Sequence, residues 1–174
     1  LVKAVLCLNC LLFQLGSHTD LRSRLITAYK VIVLGLGEKL WEGKGKTMGM
    51  AIKSVSVVGA SQKFTWVAPV KGFGCAEGLD GNIMLSAKGS KESVGLGIAM
   101  GQGILTTNTG DTAFIKSHDV SKMVNGKGKA TGIWTFITMS EKLAWMNDVI
   151  AIVTTDAMDP MWMEFTVTIY EWND

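Results

Sequence analysis

From Gly35 onward, apolar residues alternate with small or polar ones at a period of two, the pattern of strands that bury one face. The clearest stretch runs from Val94 to Ile104. Its even positions are Val94, Leu96, Ile98, Met100, Gln102 and Ile104, and its odd positions are glycine or alanine. Gly95, Gly97, Gly101 and Gly103 would each cost a helix about 1 kcal/mol, so a strand is predicted, with the bulky even side as its buried face. Met163, Phe165, Val167 and Ile169 alternate as cleanly against Glu164, Thr166, Thr168 and Tyr170.

The pattern predicts about eight strands: Lys44 to Gly59, Gln62 to Val70, Gly72 to Leu85, Ser93 to Thr107, Thr112 to Val120, Lys127 to Met139, Asp148 to Thr155 and Trp162 to Trp172. Turn-forming clusters separate them, among them Lys88-Gly89-Ser90, Asn108 to Asp111, Asn125-Gly126 and Asp159-Pro160, while Asp80-Gly81-Asn82 would split or kink the third strand. A short helix is expected after Ser140 as N-cap, with Leu143, Trp145 and Met146 as its apolar side. Sequential strands joined by short turns, without helical crossovers, read as an antiparallel meander. Strands this long suit tilted staves, and paired glycines such as Gly95/Gly97 and Gly101/Gly103 allow them to coil. The fold class expected is all-β: a meander closed into a small barrel over residues 37–174.

Residues 1–36 break the pattern and read as an N-terminal appendage. Lys3 followed by an apolar run to Phe13 resembles the hydrophobic part of a secretory signal, but no clean cleavage site follows it. The run is shorter than the roughly 20 residues a membrane span requires. A cytoplasmic location is expected, with secretion as the alternative if residues 1–16 are a signal peptide. Cys7-Leu8-Asn9-Cys10 lacks the helix start that activates redox dithiols, and reads as two small buried thiols. Asp20 would cap a short helix over Leu21 to Ala28, and Tyr29 to Leu36 reads as a strand.

Composition then narrows the function. The 17 basic and 15 acidic residues leave a net charge of +2, which provides no electrostatic case for nucleic acid. Gly45-Lys46-Thr47 ends like a phosphate loop, but Leu40 stands where its first glycine belongs. Adjacent strand residues such as His118 and Asp119 point to opposite faces and cannot act on each other. There is no Gly-x-Ser-x-Gly elbow and no histidine–carboxylate cluster, so neither a metal nor a cofactor is expected.

Gly37 to Lys46, the Gly101 to Thr107 stretch with Gly110-Asp111, Ser140 to Asn147 and the closing Glu171-Trp172 carry a resemblance. Over about Gly37 to Asn173 the chain resembles a family of small prokaryotic all-β proteins of uncharacterised function, similar in pattern to allene-oxide-cyclase-like and calycin-type barrels. The resemblance implies a barrel that holds an apolar small molecule or builds an oligomer. Ala99-Met100 and Thr154 to Asp156 depart from the family's acidic tendency, which removes the basis for a carboxylate function at those positions.

The candidate ligand-binding residues are Gln102, Met100, Phe64, Trp66, Trp134 and Phe136. Gln102 puts an amide among apolar neighbours, where burial without a partner costs about 1–3 kcal/mol, so it calls for a partner from backbone, water or ligand. Phe64 and Trp66, like Trp134 and Phe136, share a face and read first as core, then as a cavity wall. Glu77 and Glu171 are the acid–base candidates, beside apolar strand positions. The leading expectation is an apolar small molecule held in the lumen. An isomerase or cyclase of the allene-oxide-cyclase type is the alternative. A barrel that self-associates as a homo-oligomer, through outward Trp162, Tyr170 and Trp172, is the third reading.

Overall fold

A computed structural model of the protein describes residues 36–173, apart from Val58, residues 93–95 and Pro160. The expectations for the signal-like run, Cys7 and Cys10, the Asp20 helix and the Tyr29 strand lie outside the described residues. Eight strands follow one another: β1 (Leu36–Ser56), β2 (Gly59–Gly72), β3 (Gly81–Glu92), β4 (Leu96–Thr107), β5 (Thr112–Val124), β6 (Lys127–Ile137), β7 (Ile150–Ala157) and β8 (Glu164–Trp172). Each pairs antiparallel with the next, and β8 pairs with β1 to close the barrel. The expected fold class is the observed one.

Several boundaries differ. The strand expected over Gly72 to Leu85 is broken by a 3-10 turn, Gly74–Ala76, and by left-handed Gly74 and Gly78. The Asp80 carboxylate accepts a 2.9 Å hydrogen bond from the Gly72 amide and holds this connection together. Lys88-Gly89-Ser90, expected as a turn, continues β3 in register with β4. The segment after Ser140 is an eight-residue 3-10 helix, Glu141–Asp148, and the Ser140 side chain does not cap it. Its hydroxyl donates instead to Asp111 at 2.8 Å, a carboxylate that also takes bonds from Thr109 and Lys142. Those donors hold the Asp111 pKa down at about 2, and they tie the 3-10 helix to the β4–β5 turn.

Register gives the barrel its dimensions. Paired residues lead from Gln62 through Gly89, Ala99, Asp119, Gly132, Val153, Ile169 and Trp41 back to β2 at Gly72, ten residues further on. Eight strands with that stagger tilt by about 40° and enclose a backbone radius of about 8 Å. One tryptophan side chain spans most of such a radius, so large residues on one wall require small ones opposite. The interior follows this rule. Trp66 stacks on Trp134 with ring centroids 6.0 Å apart and meets the edge of Phe165 at 5.3 Å, all three buried. Gly97, Ala99, Gly101 and Gly103 of β4, and Gly128, Ala130 and Gly132 of β6 ahead of Trp134, are lumenal positions as well, and all are small.

The facing of β4 is therefore the reverse of the expected one. Its glycines point inward, and Leu96, Ile98, Met100 and Gln102 point to solvent. An added Cβ at Gly101 would come within 2.7 Å of both Leu85 and Ser117. At Gly101 bulk belongs outside, because Leu85 and Ser117 already fill the space on the inner side. β8 behaves as expected, burying Phe165, Val167 and Ile169, although Met163 precedes the strand and is exposed.

The end of the barrel where the 3-10 segments lie is sealed. Trp41 is fully buried, stacks on Trp145 at 5.7 Å and donates its indole N–H to the Leu79 carbonyl at 3.1 Å. Leu143 and Met146 of the 3-10 helix are buried in the same cluster. The other end carries the connections from β1 to β2, β5 to β6 and β7 to β8, and the Trp162 ring meets Gly128 there.

Gly43 tests the spatial rule, since a Cβ there would collide with the Pro69 carbonyl, whereas Gly49 has open space around it. Gly43→Ala is expected to lower stability by about 1–3 kcal/mol, and Gly49→Ala to leave it within about 0.5 kcal/mol. Urea unfolding midpoints check the pair; equal midpoints would contradict the rule.

Candidate functional site

On β5 the inward positions run Ala113, Ile115, Ser117, Asp119 and Ser121, so the apolar row turns polar toward the hairpin end. Each polar member faces a small residue on the adjoining strands. Ser117 pairs with Gly101, Asp119 with Ala99 and Gly132, and Ser121 with Gly97 and Ala130. A Cβ on Gly132 would collide with the Asp119 carboxylate, so that glycine is what lets the acid lie against the wall. The result is a strip of three hydrogen-bonding side chains beside a glycine- and alanine-rich surface, with Gln62 of β2 and Thr155 of β7 also at lumenal positions.

Asp119 is half-buried. Its Oδ1 accepts a 3.1 Å hydrogen bond from the indole N–H of Trp134, and its Oδ2 takes none among the described residues. Burial pushes its carboxyl above the ordinary 3.8, against the opposing pull of the Trp134 bond, the Ser117 hydroxyl and the nearby His118. Ser117 is 1% exposed, and its hydroxyl leans on the acid without completing a hydrogen bond of normal geometry. Such a buried, unpaired group is uncommon in a native interior and calls for an explanation.

The mouth beside this strip is apolar. Register puts Met50 and Ile52 of β1 on the same face as Phe64, toward the lumen, yet both are exposed. Trp162 has its backbone beside β1 and its ring against Gly128 of β6. It is held at a left-handed φ of 59°. Asp159 fixes that loop by accepting amide hydrogen bonds from Met161, Met163 and Glu164, and Thr47 donates to the Trp162 carbonyl at 2.6 Å.

The residues named from sequence divide into two groups. Phe64, Trp66, Trp134 and Phe136 are together inside the barrel, three of them buried and Phe64 partly so. Gln102 and Met100 are on the outer face of β4, with Met100 57% exposed, and do not reach the lumen. The amide of Gln102 has solvent for a partner, because the glycine side of β4 is the buried side. Glu77 is exposed beyond the 3-10 turn, and Glu171 is half-buried near the sealed end. Trp162, expected outward, turns its ring onto the lumenal face. Sequence reasoning missed Asp119 and Ser117. The available signal was the Ser117-x-Asp119-x-Ser121 alternation, in phase with buried Ala113 and Ile115.

Among the described residues no three histidine, cysteine or carboxylate side chains cluster as a metal site, and no helix is long and apolar enough to cross a membrane. No protein-family model matches the chain, and no curated protein matches it. Solved structures do. A protein of unknown function from Clostridium acetobutylicum superposes with a TM-score of 0.67 at 14% identity, covering 78% of this chain and 98% of that one. A β-barrel-like protein from Acinetobacter baumannii gives 0.64 at 17% identity, covering 77% and 93%. An enzyme from Penicillium herquei gives 0.56 at 17% identity, covering 77% and 92%. At these identities the likeness is one of fold.

Asp119→Asn keeps the acceptor for Trp134 and removes the charge. A carboxyl whose folded pKa is raised costs stability above that pKa, and the cost disappears as pH falls toward its ordinary 3.8. The variant is thus expected to be more stable than the parent at pH 7, with the difference closing toward pH 4. Urea titrations at both pH values measure this, and a pH-independent difference would contradict it.

Proposed function

We propose that the barrel binds an apolar small molecule in the hairpin-end half of its lumen. The observation that carries this reading is the asymmetry of the interior. Small-molecule sites are concave and mostly apolar, with a few placed polar groups. The lumen is concave by construction, its glycine- and alanine-rich positions on β4 and β6 lie beside Phe64, Trp66, Trp134 and Phe165, and the Ser117–Asp119–Ser121 strip supplies placed polar groups. Met50 and Ile52 give an apolar ligand a lip to enter over, while Trp41 and the 3-10 helix seal the far end.

An isomerase or cyclase activity, as in allene-oxide-cyclase-like barrels, would need a proton carrier in addition. Asp119 is the lumenal acid fitted to that role, since burial raises its pKa toward the range useful in proton transfer. The Penicillium herquei neighbour is an enzyme and supports this reading only at the level of fold.

Nile red, an uncharged apolar dye, tests lumenal binding directly. Its emission is expected to shift to the blue with the parent protein, and Ala99→Phe, placed in the small-residue wall opposite Asp119, to weaken binding at least tenfold. Absence of dye uptake, or an unchanged affinity in Ala99→Phe, would overturn the proposal.

The outer face favours a second reading, self-association with another copy of the chain. Met84, Ile104, Phe114 and Ile137 form one cross-strand row, and Met100, Val120 and Ile133 widen it; all but Ile104 are strongly exposed. An apolar face of this kind commonly marks a contact surface. Sedimentation velocity is expected to find an oligomer that Phe114→Lys converts to monomer. A monomeric parent would exclude it.

A further inference from the structure

Resting on the lumenal reading above, the geometry points to a hydroxyl-bearing apolar molecule as the ligand, with Asp119 and Ser117 as the two groups that hold its hydroxyl. Asp119 Oδ1 is occupied by the Trp134 indole, whereas Oδ2 has no donor among the described residues and lies on the lumenal side of β5. A half-buried carboxylate in apolar surroundings gains most from a group that donates to it. One pair further along the strand, the Ser117 hydroxyl is 1% exposed and, although it leans on Asp119, completes no hydrogen bond of normal geometry. Protein interiors seldom leave such a group unpaired, because its desolvation is not recovered. A hydroxyl is the smallest group that serves both, giving its proton to Asp119 Oδ2 and accepting one from Ser117.

The alternatives fit less well. An ether or ketone oxygen accepts only, so it answers Ser117 and leaves the carboxylate unpaired. A protonated amine donates only, so it answers Asp119 and leaves Ser117 unpaired. The glycines bear on the same point. Gly101 opposite Ser117 and Gly132 opposite Asp119 keep both side chains against the wall and close to each other, so that one ligand group can serve the two together.

Three probes of similar size separate the possibilities: 2-naphthol donates and accepts, 2-methoxynaphthalene only accepts, and 2-ethylnaphthalene does neither. Affinities follow from quenching of tryptophan fluorescence in the full chain. For the parent protein, 2-naphthol is expected to bind at least tenfold more tightly than either of the others. Asp119→Asn, which offers a donor in place of the free oxygen, should abolish the preference of 2-naphthol over 2-methoxynaphthalene. Ser117→Ala should reduce the affinity for 2-naphthol severalfold without lowering thermal stability, since it removes an unpaired hydroxyl. Neither variant should change the affinity for 2-ethylnaphthalene, a readout that a merely structural role would move. If all three probes bind the parent equally, the lumenal reading stands and the hydroxyl assignment fails. If none binds, both fail.

Discussion

The structure depends on the width of an eight-stranded barrel. Once the strands close with their observed stagger, the lumen has a fixed cross-section, and every inward side chain competes for it. Trp66, Trp134 and Phe165 take the centre, and the lumenal positions of β4 and of β6 ahead of Trp134 are glycine or alanine, hemmed in by side chains such as Leu85, Ser117, Asp119 and Trp162. Hydrophobicity decides that a face is buried, but volume decides which face. The same constraint creates the site, because the glycine wall is where a polar strip can lie flat.

Much of the fold could be read from alternation. Period-two patterning marked all eight strands and their antiparallel order, and the turn residues placed most of the connections. It misled where alternation alone could not specify direction. On β4 both faces were consistent with a buried strand, bulk on one side and glycine on the other, and transfer energies favoured burying the bulk. The neighbouring strands reversed that choice, since Leu85 of β3 and Ser117 of β5 occupy the space beside Gly101. The break between β2 and β3 was legible in part, because Asp80-Gly81-Asn82 marks a split where β3 begins, whereas the bond from Gly72 to Asp80 that holds it lies outside any periodic pattern.

The candidate site was less legible. Aromatic residues announce themselves, and Phe64, Trp66, Trp134 and Phe136 are together inside. Gln102 drew attention as a polar residue within an apolar row, yet that row was the outer one. Asp119 was passed over because attention fell on its neighbour His118, across the pleat. Judging a carboxylate by the strand phase of Ile115 and Ser117, and by the glycines paired with it, would have located it. Charge and motif carry little information in such a protein, since the informative quantity is the space a residue leaves to others.

The strand β4 also bears on how the barrel assembles. A slip of one residue would turn Ile98, Met100 and Ile104 to the buried side. The strands on either flank leave no space for them there, since Leu85 and Ala87 of β3 and Ser117 of β5 stand where even a Cβ on Gly101 would go. The register of β4 is therefore held from both sides at once, by exclusion instead of attraction.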